Sequence, residues 1–122
     1  MTLLPFETAQ DVTITAKDLA QIPDNAGTIE WLAGVSRGWL RFWEGSLGEN
    51  GFYPFDSLAV GFAVLPELFT CELIPAQVVK KDGRFVNRDE LAVSKDFKEG
   101  TIVNYCIEVD SKFKDQLFTR LH

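Results

Sequence analysis

The sequence predicts an α/β domain, and three observations carry that expectation. Apolar residues recur every three to four positions over residues 28–47 and again over 113–121, the period of a helix face. Over residues 70–80 and 101–109 they alternate instead, the period of a strand. The composition is that of an ordinary globular chain, 46% hydrophobic with a mean hydropathy of -0.01. At 122 residues it makes one domain or a piece of one.

The elements follow in order. The opening Thr2-Leu3-Leu4-Pro5-Phe6 reads as a short buried strand, and Val12-Thr13-Ile14 as a second β-like piece. Thr15-Ala16-Lys17-Asp18 has the Thr-x-x-acid spacing of a helix start. Pro23 stops that helix early. A long helix is expected over 28–47, with Trp31, Val35, Trp39, Trp43 and Leu47 repeating along one stripe and Gly48 ending it. Gly34 and Gly38 cost that helix ~1 kcal/mol each against Ala, which points to close packing against another element.

After a loop at 48–51 comes the run Asp56-Ser57-Leu58-Ala59-Val60-Gly61-Phe62-Ala63-Val64-Leu65. It is apolar on nearly every side, the pattern of a helix buried all round, and Pro66 marks its end. In the strand over 70–80, Cys71 and Leu73 fall on one face and Ile74, Ala76 and Val78 on the other. Pro75 places that strand at an edge or a bulge. Lys81-Asp82-Gly83-Arg84 reads as a tight hairpin turn, with Phe85-Val86 opening the return strand. Residues 89–98 are less regular. Val103, Tyr105, Ile107 and Val109 then share a strand face. Asp110 or Ser111 caps a last helix whose stripe is Phe113, Leu117, Phe118 and Leu121.

Charge and composition exclude several function classes. The net charge of −6 argues against a nucleic-acid backbone or an anionic membrane surface as partner. No apolar run reaches the ~18 residues of a membrane span. The N-terminus lacks a basic start and a long apolar centre, so no leader is expected. Cys71 and Cys106 could pair. Reduced thiols fit better with a chain showing no export signal, and favour the cytoplasm. The single histidine is the terminal His122, which removes Cys/His metal clusters and Ser-His-Asp or Cys-His pairs. No Gly-rich phosphate loop is present.

One residue stands out. Asp56 sits at the mouth of the apolar run, with Phe52, Tyr53 and Phe55 just before it. It reads as an N-cap, worth about 1 kcal/mol. It also reads as an oxygen ligand held on a rigid element. Phe52, Tyr53 and Phe55 are either core or an apolar wall that grips a planar ligand. Trp31, Trp39 and Trp43 read as core or partner-facing before ligand-stacking, Lys80, Lys81 and Arg84 as a solvated hairpin tip, and Glu7 and Asp18 as surface or capping residues.

Taken in order, TLLPFETAQDVTITAKDL, YPFDSLAVGFAVLPELF and TCELIPAQVV with its Gly-containing turn resemble the C-terminal part of the inosine–uridine-type nucleoside hydrolases. The resemblance extends to about Val86 and more loosely to the last strand and helix. Its most specific block is Asp56-Ser57-Leu58-Ala59 with Pro66-Glu67. It implies the C-terminal portion of that fold, with long helices, short strands and a β-hairpin, in a single domain or fragment over 1–122. It also implies cleavage of a nucleoside N-glycosidic bond at a calcium-bearing pocket. Asp56 then corresponds to a calcium ligand. Phe55 stands where one subgroup has a histidine acting on the leaving base and another an aromatic stacking residue, which suggests purine ribonucleosides; Tyr53 helps line the base pocket.

The family's Asp-rich N-terminal motif, which supplies the base and most metal ligands, is not in this sequence. No catalytic residue is therefore assigned, and the chain alone is expected to be inactive. The contrasting expectation is a non-catalytic domain that covers orphaned apolar surface by forming a homo-oligomer, with Asp56 a cap only.

Overall fold

The computed structural model describes residues 1–23, 27–83 and 88–121. Among these residues a four-stranded sheet in the order β1-β4-β2-β3 carries five α-helices. The strands are β1 (Thr2–Leu3), β2 (Phe69–Lys81), β3 (Arg88–Val93) and β4 (Thr101–Val109). The helices are α1 (Phe6–Ala9), α2 (Ala16–Leu19), α3 (Thr28–Phe42), α4 (Phe55–Val64) and α5 (Lys112–Thr119). The mixed α/β expectation holds. β2 pairs antiparallel with β3 and β4, and β1 pairs parallel with β4 through two residues at the sheet edge. The opening segment is thus a half-exposed edge strand and not a buried one, because Pro5 turns the chain into α1 after Leu4.

Two local rules in the strands were displaced by pairing. Thr70 faces Glu108 while Cys71 faces Cys106, which leaves Ile107 as an extra residue in β4. An inserted residue switches the faces beyond it. Val103 therefore packs with Ile74 and Ala76 in one cluster, and Val109 with Phe69 and Cys106 in another. The expected common face of Val103 and Val109 is corrected accordingly. Pro75 lies in a strand flanked on both sides, not at an edge. Its carbonyl accepts the Ser94 N–H just past the last β3 pair, Ala76 with Val93. The missing N–H therefore points where the β3 ladder has already ended.

The β2–β3 hairpin is present, and residues 88–93 form a regular strand where irregular chain was expected. Its last pair is Lys81 with Arg88, so the connection is longer than a two-residue turn. The expected positions of Arg84, Phe85 and Val86 lie outside the described residues. Lys81 and Arg88 both pair with Glu90, at 2.8 Å and 2.6 Å.

Cys71 and Cys106 form a disulfide, which overturns the expectation of reduced thiols. The reason is register: the two residues are direct partners across the β2–β4 ladder, with Cys106 fully buried. Disulfides persist in oxidising compartments. The cytoplasmic expectation, which rested partly on free thiols, loses that support. No helix among the described residues is long and apolar enough to cross a membrane.

The helices show where the sequence pattern led and misled. Thr15 caps α2 in a capping box, accepting the Asp18 N–H while Asp18 Oδ2 accepts the Thr15 N–H at 2.7 Å. α3 runs into a π-helical turn (Trp43–Leu47) that ends at Gly48 in the left-handed conformation, φ 68°. Asp110 Oδ1 accepts the Lys112 N–H at 2.8 Å at the start of α5. Phe113 and Phe118 are buried as expected.

The α3 stripe is different. Of its five members only Trp43 is buried; Trp31, Val35, Trp39 and Leu47 are exposed. The buried side of α3 and its π-helical turn is carried by Ala33, Leu40 and Trp43, which pack on Ile14, Leu19, Ile22, Phe52 and Phe118. Nor is α4 buried all round. Leu58 and Gly61 face the core, while Val60 and Val64 stand more than half exposed.

Candidate functional site

The segment that delivers the candidate residues is fixed at both ends. Phe52 and Ile14 exchange two backbone hydrogen bonds of 2.9 Å in an isolated antiparallel bridge. Only glycine permits that approach at position 51: a Cβ there would lie 2.8 Å from the Ile14 carbonyl oxygen. Pro54 then opens α4, its carbonyl accepting the Leu58 N–H at 3.1 Å. Asp56 lies inside the first turn, and no side-chain bond caps this helix. The N-cap reading of Asp56 is therefore corrected. Pro54 occupies the capping position, and the carboxylate is left exposed at the positive end of the helix.

Tyr53, Phe55 and Asp56 line one cavity of about 340 Å³. It is lined as well by Ile14, Leu19 and Phe52, by Trp39 of α3 and by Leu117 and Phe118 of α5. Asp56 and Ser57 also border a second cavity of about 330 Å³ between α4 and α5, where Val60, Gly61, Val64 and Phe113 form the wall. The first turn of α4 thus stands between two hollows, with its carboxylate sealed in neither.

The apolar wall is a cluster of rings. Tyr53 lies edge-on to Trp43 at 5.2 Å, and Phe55 stacks on Phe6 at 5.4 Å. Trp43 backs both Tyr53 and Phe55 and meets Trp39 at 6.1 Å. Its indole Nε1 is buried with no acceptor among the described residues. Trp39 lines the cavity and Trp31 does not. Helical spacing could have shown that Trp39 and Trp43 share a stripe. It could not show which of them meets Tyr53, because that depends on how α3 lies against the Gly51–Asp56 segment.

A polar network sets the wall between α2 and α5. Lys114 reaches Asp18 at 2.6 Å, and the Thr15 hydroxyl donates to the same oxygen at 2.7 Å. Burial raises the Asp18 carboxyl, but the bonds from Lys114 and Thr15 outweigh it and hold Asp18 below its ordinary 3.8. Asp18 is thus a buried cap paired across helices, more than a surface residue.

As a metal site the cavity is incomplete. No cluster of three or more His, Cys, Asp or Glu side chains occurs among the described residues. Calcium takes 6–8 oxygens. Asp56 supplies one carboxylate, so the donor set of this chain does not by itself fit the ion.

No protein-family model matches the chain, and no curated protein matches it in sequence. Among solved structures it is similar to a plant nucleoside hydrolase, the PpNRh1 enzyme, with a TM-score of 0.81 at 20% identity. The match covers 98% of this chain and 40% of that enzyme, so the chain spans well under half of its length. The fold of these 122 residues is that of a segment of a nucleoside hydrolase.

Proposed function

We propose that this chain is the segment of a nucleoside N-ribohydrolase that forms the base-binding side of the pocket. The observation that carries this reading is the meeting of Tyr53, Phe55 and Asp56 at one cavity, on a segment with the nucleoside hydrolase fold. Phe55 and Tyr53 supply ring faces for a planar base, purine by the resemblance, with Trp39 also lining the cavity. Asp56 projects from a rigid helix start and contributes one ligand to a calcium ion. The remaining oxygens, and the base that activates water, come from outside these 122 residues. The chain by itself lacks the groups for turnover and is inactive in this reading.

The test is complementation. This chain is mixed with a separately produced N-terminal portion of a nucleoside hydrolase carrying the Asp-rich motif, and calcium-dependent inosine hydrolysis is followed. Hydrolysis that disappears with Asp56→Asn supports the reading. A folded mixture with no Asp56-dependent hydrolysis counts against it.

A second reading, a non-catalytic domain derived from the same fold, is favoured by the exposed apolar faces of α3 and α4. It predicts no calcium-dependent thermal shift in the complemented mixture, and unchanged behaviour on Asp56→Asn.

A further inference from the structure

We propose that Phe6 is a positioning residue of the base pocket: its ring braces Phe55 and Tyr53 from the sheet side, so that both present fixed faces to a planar base. The inference rests on the nucleoside reading above and adds to it a residue from a different part of the fold.

Phe6 is placed as no core residue would be. It opens α1 directly after Pro5, and 55% of it is exposed. The buried positions of α1 are Thr8 and Ala9, and Phe6 belongs to none of the buried clusters among the described residues. A ring left this far in solvent gains little from burial. What it has is aromatic neighbours. Phe6 is stacked on Phe55 with 25° between the planes and centroids 5.4 Å apart, and it stands edge-on to Tyr53 at 6.3 Å and 86°. Both are arrangements that the ring quadrupoles favour.

The base under Phe6 is firmly held. The Thr8 hydroxyl donates to the Cys106 carbonyl at 2.8 Å, and Asp11 Oδ2 accepts the Val109 N–H at 3.2 Å. Ala9 and Val12 pack with Cys106 and Val109 in one buried cluster. The α1 segment is thus pinned to β4, and β4 is joined to β2 by the disulfide. Phe55 has no such anchor of its own. It is the first residue of α4 and is 37% exposed. Its other ring partners meet it at steeper angles, Tyr53 at 78° and Trp43 at 40°. Among the described residues, Phe6 is the one ring stacked on its face.

Tyr53 and Phe55 line the cavity and Phe6 does not, so Phe6 acts on the pocket through them. An unbraced side chain at a helix start samples several staggered rotamers. Stacking on a ring pinned to the sheet selects one of them before the base arrives. The rotamer entropy that binding would otherwise cost is thereby removed in advance. Phe6 touches neither the ribose nor a transferred proton. Its contribution is therefore uniform binding, which lowers KM and leaves kcat unaltered.

The experiment has two arms, both on the full 122-residue chain. The first follows the ring resonances of Phe55 and Tyr53 by proton NMR, without nucleoside or calcium. Phe6→Leu keeps apolar bulk and removes the ring, so the loss of ring current should shift both sets. Phe6→Tyr keeps the ring and should leave them near the wild-type positions. Unshifted Phe55 and Tyr53 resonances in Phe6→Leu overturn the proposal whatever becomes of the nucleoside reading. The second arm measures inosine hydrolysis in the complemented mixture, with the N-terminal portion in excess. Phe6→Leu should raise KM roughly 2- to 10-fold, the worth of one aromatic pair, with kcat unchanged and KM held near the wild type in Phe6→Tyr. A purely structural role would not split KM from kcat in this way. An unchanged KM, or a change confined to kcat, with Asp56-dependent hydrolysis intact overturns this inference and leaves the nucleoside reading standing. Absence of Asp56-dependent hydrolysis in the wild-type mixture overturns that reading and this inference with it.

Discussion

Gly61 and Gly34 both sit inside amphipathic or apolar helices, α4 and α3, yet their surroundings are opposite. At Gly61 a Cβ would fall 2.1 Å from the Phe113 ring, itself buried. At Gly34 it would meet open space. The α4 glycine is where two helices touch inside the chain, while the α3 glycine belongs to a surface with no partner in it. The same contrast runs through the aromatics. Phe69 and Phe113 lock together at 5.7 Å under the disulfide-linked sheet, while Trp31 lies in solvent. Glycines and aromatic rings at helical spacing mark packing surfaces. The spacing does not say whether the surface packed against lies in the same polypeptide.

The strongest break of the sheet half is chemical. Opening Cys71–Cys106 releases a loop of 35 residues, worth about 3–4 kcal/mol in chain entropy. Cys71→Ala/Cys106→Ala, or reduction, should lower the denaturation midpoint accordingly in urea melts. Next in size, Gly61→Ala forces the buried Phe113 ring to move and should cost about 1–3 kcal/mol. Equal stability in the wild type and this variant would show that α5 yields easily and that the contrast with Gly34 is not one of packing.

The third prediction concerns the Asp18 junction of α2 and α5. Because the folded-state carboxyl lies below its ordinary value of 3.8, its contribution is complete above the unfolded value. It is lost as the pH falls through the folded one. Acid titration of the melting temperature should therefore show a decline that sets in below about pH 5 and is shallower in Asp18→Asn. A variant whose acid limb superimposes on the wild type would remove Asp18 as a contributor. The smallest effect is expected at Asp56. With no capping bond to lose and an exposed carboxylate, Asp56→Asn should change stability by only a few tenths, roughly 0.3–0.5 kcal/mol, through the helix dipole. A loss above about 1 kcal/mol would restore the capping role.

Much of the fold was legible from local rules. The Thr15–Asp18 capping box, the stop at Gly48, the α5 stripe and the alternation of β2 are each decided by residues within a few positions of one another. The clustering of Tyr53, Phe55 and Asp56 at one cavity follows from their adjacency and from the helix that begins among them. Trp39 and Leu117 joined that cavity without local warning, since they arrive from α3 and α5.

The sequence by itself determined most of the helical and extended segments, α1 and β3 excepted, and that one carboxylate stands beside an aromatic run. Tertiary structure alone decided the rest. Register brought Cys71 opposite Cys106, an extra residue at Ile107 moved Val103 and Val109 to opposite faces, and the seating of α3 left Trp31 and Gly34 outside. Periodicity is a property of one segment and is written along it. Burial is a relation between two surfaces, and the second surface lies far along the chain or in another molecule.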